Sequence, residues 1–280
     1  MTRTSPTVRR RRLARELRRM RVEAGILPED AAQEAGIAKS SLLRWEAAES
    51  SVQPAAAALL FRLYGASEEE ISSLTQVARE ARRRGWWVPW NAAMPPWLTT
   101  YVGLESETVE INEFQPVLVP GLLQIEGYAE AVMRAENPDE TDEQIRKRVE
   151  LRMQRQQRDD DYDLWAIIGE AALQIPVGGS EVMREQLLHV SEVAQQPRRN
   201  VQVLPASAGE HGSMGSGFIT LRFDSPTDLP IAYLETRAGS LYVEEEDEVR
   251  QYTSLFQHLR ATALSARESL RRIREIAKTI

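Results

Sequence analysis

Apolar residues recur at helical spacing from the start of the chain. Val8, Leu13, Leu17 and Met20 interrupt the arginine-rich stretch VRRRRLARELRRMRVE and predict a first helix over residues 8–23. Pro28 suits the first turn of a second helix, PEDAAQEA, where Glu29 and Asp30 complement the helix dipole and Gly36 ends the run. A third helix starts near Ser40, whose hydroxyl can cap it. A fourth follows Pro54 and stops at Gly65. A fifth opens at Ser67, with Glu70 placed for a capping box, and runs to the basic Arg82–Gly85 stretch. Five short helices in about 85 residues predict a compact all-α domain.

The pattern changes at GWWVPWNAAMPPWL, residues 85–98, which holds four of the six tryptophans and three of the 14 prolines. It reads as a packed hinge or boundary whose rings anchor the neighbouring core. A base-stacking platform is the weaker alternative, because no basic residue interleaves the rings after Arg84. Beyond it, TVEINEFQ (108–115) alternates as a half-buried strand does. Residues 124–136, 141–158 and 180–195 read as helices, and DLWAIIGEAAL (163–173) as a buried strand. NVQVLPA, GFITLRF and IAYLET are three more strand candidates. From about Asp247 one or two helices follow, with Val249, Tyr252, Leu255, Phe256 and Leu259 on one side. The expected fold is α+β and multidomain. Residues 1–84 form a five-helix all-α domain, 85–98 a Trp/Pro-rich hinge, and 99–280 a mixed α/β domain.

Charge divides along the same boundary. The net charge is −7, yet residues 1–84 carry 16 Lys/Arg against 11 Asp/Glu, and the remainder 19 against 31. A basic end on an acidic body predicts a polyanion contact confined to that end. Without cysteine there is no disulfide and no thiolate metal site. The N-terminal positive run is followed by more charge rather than an apolar signal core, and no apolar run reaches the ~18 residues of a membrane span. The expectation is a cytoplasmic, nucleoid-associated protein that binds no membrane and no cofactor.

The stretch GIAKSSLLRWEAAES, residues 36–50, carries the functional prediction. Gly36 can take the left-handed conformation of a tight turn, and Ala31, Ala32 and Ala35 let the second helix lie close to the third. Leu42 and Trp45, three apart, anchor one face of the third helix. Lys39, Ser40, Arg44 and Leu43 then lie outward, the arrangement of a helix that enters a major groove; Arg can bond a guanine edge twice. Nine arginines between Arg3 and Arg21 add phosphate neutralisation, with Arg9, Arg10, Arg11 and Arg12 as backbone-contact candidates. A helical hairpin with solvated charges is the rival reading of the same residues.

LRRMRVEAGILPEDAAQEAGIAKSSLLRWEAAESSVQPAAAALLFRLYGASEEE resembles the helix-turn-helix domain of the phage-repressor and xenobiotic-response-element regulators. The spacing of Ala32, Gly36, Ile37, Leu42, Trp45 and Glu46 carries the resemblance, which implies base reading by Lys39, Ser40, Ser41 and Arg44. This chain departs from that family in two places. Pro28 stands where a phosphate-contacting Gln is common, and Ala47–Ala48 where Asn or Arg precedes Gly. FQPVLVPGLLQIEGYAEAVM, RVELRMQRQ, VQVLPASAGEHGSMGSGFITLRF, YLETRAG and SLRRIREIAK resemble the second domain of actinobacterial regulators described as antitoxin-like. That resemblance implies a transcriptional role, a homodimer and a small companion protein. The alternative is an antitoxin-like interaction protein that mainly sequesters a protein partner.

Enzymatic readings of the second domain are weak. GEHGSMGSG (209–217) lacks the Lys and following helix of a phosphate loop and reads as a flexible connection between strands. His189, His211 and His258 have no i+4 His, and Ser213 beside His211 is a sequence neighbour, not a geometry. The EEEDE run at Glu244–Glu248 reads as a solvated helix start. No catalytic role is expected.

Overall fold

A computed structural model describes residues 6–82, 85–157, 162–224 and 228–280. The expected contributions of Arg3, Arg83 and Arg84 lie outside the described residues. The chain divides into two compact units, Met1–Val88 with Thr100–Glu107, and Pro89–Thr99 with Thr108–Ile280.

The first unit holds α1 (Pro6–Glu23), α2 (Pro28–Glu34), α3 (Lys39–Glu46), α4 (Pro54–Leu63) and α5 (Glu68–Glu80). Each element forms for a readable reason. Prolines open α2 and α4, where the missing N–H is not needed. Ser67 and Glu70 close a reciprocal capping box on α5, as expected. Gly25, Gly36 and Gly65 take positive φ just past α1, α2 and α4. Behind Gly36 the Ile37 N–H bonds back to the Ala32 carbonyl at 2.9 Å, which turns the chain sharply into α3. The core joins Leu13 and Leu17 of α1, Leu42 and Trp45 of α3, Leu60 and Phe61 of α4, and the apolar face of α5. Each fully buried Leu or Phe contributes about 1.5–3 kcal/mol.

Two expectations need correcting here. Ser40 does not cap α3: the helix begins at Lys39 behind Ala38, with no side-chain cap. A further helix, α6 (Pro96–Glu105), was not anticipated, and its Thr100–Glu105 half packs with the first unit. Gly103 permits this, since a Cβ there would stand 2.2 Å from the Thr7 hydroxyl and 3.1 Å from the Trp87 ring. Trp87, 5% exposed, thus anchors this core, while residues 88–93 form a 3-10 turn rather than an open linker.

The second unit is built on a six-stranded sheet of order β3-β2-β1-β4-β5-β6. Its strands are β1 (Thr108–Gln115), β2 (Asp163–Gly169), β3 (Arg199–Leu204), β4 (Phe218–Phe223), β5 (Ile231–Thr236) and β6 (Gly239–Val243). β1, β2 and β3 run parallel, joined by crossovers through α7 (Glu126–Glu136) with α8 (Asp142–Gln156), and α9 (Glu170–Gln174) with α10 (Ser180–Val193). β4, β5 and β6 continue from β1 as an antiparallel meander.

α11 (Glu246–Thr262) lays Phe256 and Leu259 on Phe114, Ile167, Leu204 and Phe218 of one sheet face. α12 (Ala266–Thr279) then closes the β3 edge, where Leu264 N–H bonds the Val203 carbonyl at 2.9 Å and Val203 N–H bonds Ser269 Oγ at 2.9 Å. Such cover removes a free strand edge. Trp165 is fixed on this side by Gln202, which accepts from its Nε1 at 2.8 Å, and by the Arg260 guanidinium 3.4 Å over its ring.

Three sequence expectations change in this unit. The strand expected over 163–173 ends at Gly169, where a Cβ would meet the Pro116 carbonyl oxygen at 2.4 Å, and α9 follows. β6 was not anticipated; its half-exposed GSLYV run lacks a strong apolar alternation. The 209–217 connection is packed rather than loose. His211 meets the Phe114 ring edge-on at 5.4 Å, and buried Ser213 donates to the Ser216 carbonyl at 2.6 Å.

Candidate nucleic-acid interface

Helix α3 is short, and its two sides differ sharply. Leu42 is fully buried and Trp45 is 8% exposed, so the helix is pinned along one side. At 100° per residue, Lys39, Leu43, Ser40 and Arg44 share the opposite side, and all four are exposed. Ser41 falls on the flank and is half-buried, which turns it away from the outward face. Leu43 is 45% exposed and presents methyl groups beside the polar trio, a contact suited to a thymine methyl.

What holds α3 in place is a contact the sequence reading did not single out. Arg21 of α1 donates through Nε and Nη2 to the two carboxylate oxygens of Glu46, at 2.7 and 2.9 Å. Its Nη1 donates to the Ile26 carbonyl at 2.9 Å, in the turn before α2. The side chains are 11% and 6% exposed. One guanidinium therefore joins α1, the first turn and the last residue of α3. The pairing also raises Arg21 above the usual guanidinium range, through the hydrogen bonds to Glu46 first. The Tyr64 hydroxyl is buried nearby without a hydrogen-bond partner, and its ionisation is pushed up by burial and by the Glu46 charge. The clue in the sequence was the placement of Arg21 on the buried stripe of α1, four residues after Leu17.

The remaining predicted residues are placed as follows. Lys39 Nζ forms an ion pair with Glu29 in the first turn of α2, which holds that carboxyl below the usual range, mainly by hydrogen bonding. Arg44 makes no ion pair among the described residues. Arg9, Arg10, Arg11 and Arg12 do not join this group. They lie half-buried in the first two turns of α1, nine to 12 residues and about 14–18 Å along the helix from Arg21. Arg9 pairs there with Glu80 of α5 at 2.8 Å, and burial lowers the Arg10 pKa. The cations nearer the turn are Arg18 and Arg19, both exposed; Arg19 is held by Glu16 and Glu23, whereas Arg18 has no ion pair among the described residues.

Residues 12–74 match a family described as a helix-turn-helix domain, the segment that contains the Gly36 turn and α3. Residues 98–275, well over half of the chain, match a domain of unknown function, DUF5753. The chain belongs to the DUF5753 family. No curated protein and no solved structure matches it. This DUF5753 chain thus carries a helix-turn-helix domain, the fold of a DNA-binding regulator, ahead of its mixed sheet. No described helix is long and apolar enough to cross a membrane.

Proposed function

We propose that the protein is a sequence-specific transcriptional regulator that binds double-stranded DNA as a dimer, and that its second unit responds to a small effector or companion protein. The observation that carries this reading is the two-sidedness of α3. Leu42, Trp45 and Glu46 fix one side, and Lys39, Ser40, Leu43 and Arg44 stand free of the core on the other. Arg44 supplies the bidentate donor for a guanine, and Lys39 and Ser40 serve bases or phosphates. One such helix reads a short half-site, so specificity calls for a two-fold pair about one helical turn apart. The acidic excess after residue 84 keeps the second unit off the phosphates and suits an effector or a basic companion.

Footprinting on the DNA upstream of the gene tests this reading. Two protected major-groove segments, centred about 10 base pairs or 34 Å apart, are expected. Protection of one short segment by a sedimenting monomer would remove the dimer from the account. Uniform protection at all sequences would remove base reading.

A further inference from the structure

Two neighbouring helices of the second unit carry opposite charge on their outer sides. In α10, Met183, Leu187 and Val190 are buried, and at 100° per residue the opposite side carries Glu181, Glu185, Leu188 and Glu192, all exposed. In α12, Ser269, Ile273 and Ile276 are buried, and the opposite side carries Arg267, Arg271, Arg274 and Lys278, all exposed. Both rows step by four, three and four residues and run about 16 Å along their helices. α10 and α12 pack against each other, so the two rows belong to one two-helix surface.

Neither row is answered within the chain. Arg271 reaches only Glu275 of its own helix, at 3.7 Å, and both side chains stay open to solvent. The other six charges of the rows make no ion pair among the described residues, and none joins α10 to α12. Residues of the opposite sign lie to the flanks: Arg184 borders the acidic row, Glu268 closes a capping box with Ser265, and Glu275 also approaches Arg272 at 3.7 Å. Like charges four apart weaken a helix, so opposite charge brought from outside stabilises such rows. Beyond residue 84 the chain holds 31 Asp/Glu against 19 Lys/Arg, and a row of four cations departs from that background. Leu188, 48% exposed, adds an apolar group within the acidic row.

We propose that this surface is the dimer interface of the protein, occupied by a second copy of the chain. A two-fold axis through it sets the acidic row of α10 on one protomer against the basic row of α12 on its partner, and the symmetry repeats the pair. The equal spacing lets the rows meet over about three helical turns. Leu188 and the aliphatic stems of the arginines then exclude water between the charges. A DNA duplex would meet the acidic row beside the basic one, and an unlike protein would have to copy both rows; a second copy carries them already. Contact through charge with one apolar side chain makes a weak, salt-sensitive dimer. The inference rests on the dimeric reading above and gives that dimer its surface.

Sedimentation equilibrium of the full-length protein tests this at ~0.1 and ~1 M NaCl, which shortens the Debye length from about 10 to about 3 Å. Wild type should form a dimer whose Kd rises on the order of tenfold or more at the higher salt. Arg271→Glu/Arg274→Glu reverses the basic row, and Glu185→Lys/Glu192→Lys reverses the acidic one. Each variant alone should be monomeric and melt close to wild type, because all four positions are exposed. Their equimolar mixture should recover a dimer of one of each, which unfolding cannot imitate. A wild-type dimer that both variants keep overturns this surface and leaves the dimeric reading standing. Monomeric variants that do not associate on mixing overturn it too. A wild type that is monomeric at ~0.1 M NaCl also overturns it; if it stays monomeric on its DNA, the dimeric reading falls with it. Should that monomer lose affinity for a random duplex in Arg271→Glu/Arg274→Glu, the basic row is a phosphate contact instead.

Discussion

Replacing Arg21 by Met removes the ion pair that fixes α3, and its cost follows from the structure. Both partners are nearly closed to solvent, at 11% and 6% exposure, and the pair is bidentate at 2.7 and 2.9 Å. The substitution leaves the Glu46 carboxylate enclosed beside Tyr64, whose hydroxyl is itself unpartnered. Breaking one side of such a pair costs about 3–5 kcal/mol, a large part of the 5–15 kcal/mol that holds a domain together. Replacing both residues by apolar ones of similar volume is often neutral, so Arg21→Met/Glu46→Leu should recover most of the loss. Urea unfolding, with amide exchange read in α1 and α3, measures each corner of the cycle. A cost for Arg21→Met under about 1 kcal/mol, the worth of an exposed pair, would refute the reasoning. Loss in the double variant equal to the sum of the singles would refute it too.

Other substitutions test separate links. Ala48 has φ +56° just past α3, a left-handed conformation that costs an L-residue about 1–2 kcal/mol. Ala48→Gly should therefore stabilise the first unit by about 0.5–1 kcal/mol in denaturant midpoint, against the usual sign for Ala to Gly; a loss would mean no strain is stored there. Leu42→Ala, at a fully buried position, should cost about 2–5 kcal/mol in the same assay and leave α3 exchanging faster. The Glu170 carboxyl is held below its usual range by the Ala206 N–H at 2.9 Å and then by Arg272 at 2.6 Å. A depressed folded pKa stabilises above the unfolded value and is lost as pH falls through the folded one. Stability of the second unit should drop as pH falls below about 4.3, the ordinary Glu value, and Glu170→Gln should flatten that drop; an unchanged slope would assign the acid lability elsewhere.

Much of the first unit was legible because helix signals there are local. Pro28, Pro54, the Ser67–Glu70 box and the positive-φ glycines Gly36 and Gly65 all sit where the chain turns. The outward set on α3 was legible for the same reason, since Leu42 and Trp45 fix its rotation; Ser41 fell on the border between faces. Arg21 was hidden inside an arginine run, where only burial separates a supporting cation from a solvated one. Arg9–Arg12 were grouped with the reading helix by composition, yet helix length carries them to the far end of α1. In the second unit the short α9 and β6 escaped because tertiary contacts set them: the close approach of Gly169 to Pro116 and the pairing of Leu241 with Leu234.

The most direct test of the central claim is equilibrium binding to the duplex upstream of the gene and to a shuffled duplex, over a salt series. Wild type is compared with Lys39→Ala and Arg44→Ala. The account predicts tight, selective binding by wild type. Arg44→Ala should lose roughly 1–3 kcal/mol on the upstream duplex and much less on the shuffled one, with folding unchanged. Lys39→Ala should weaken both duplexes more evenly and reduce the salt slope by about one unit. Equal affinity of wild type for the two duplexes, or an Arg44→Ala loss that is the same on both, would contradict base reading by α3.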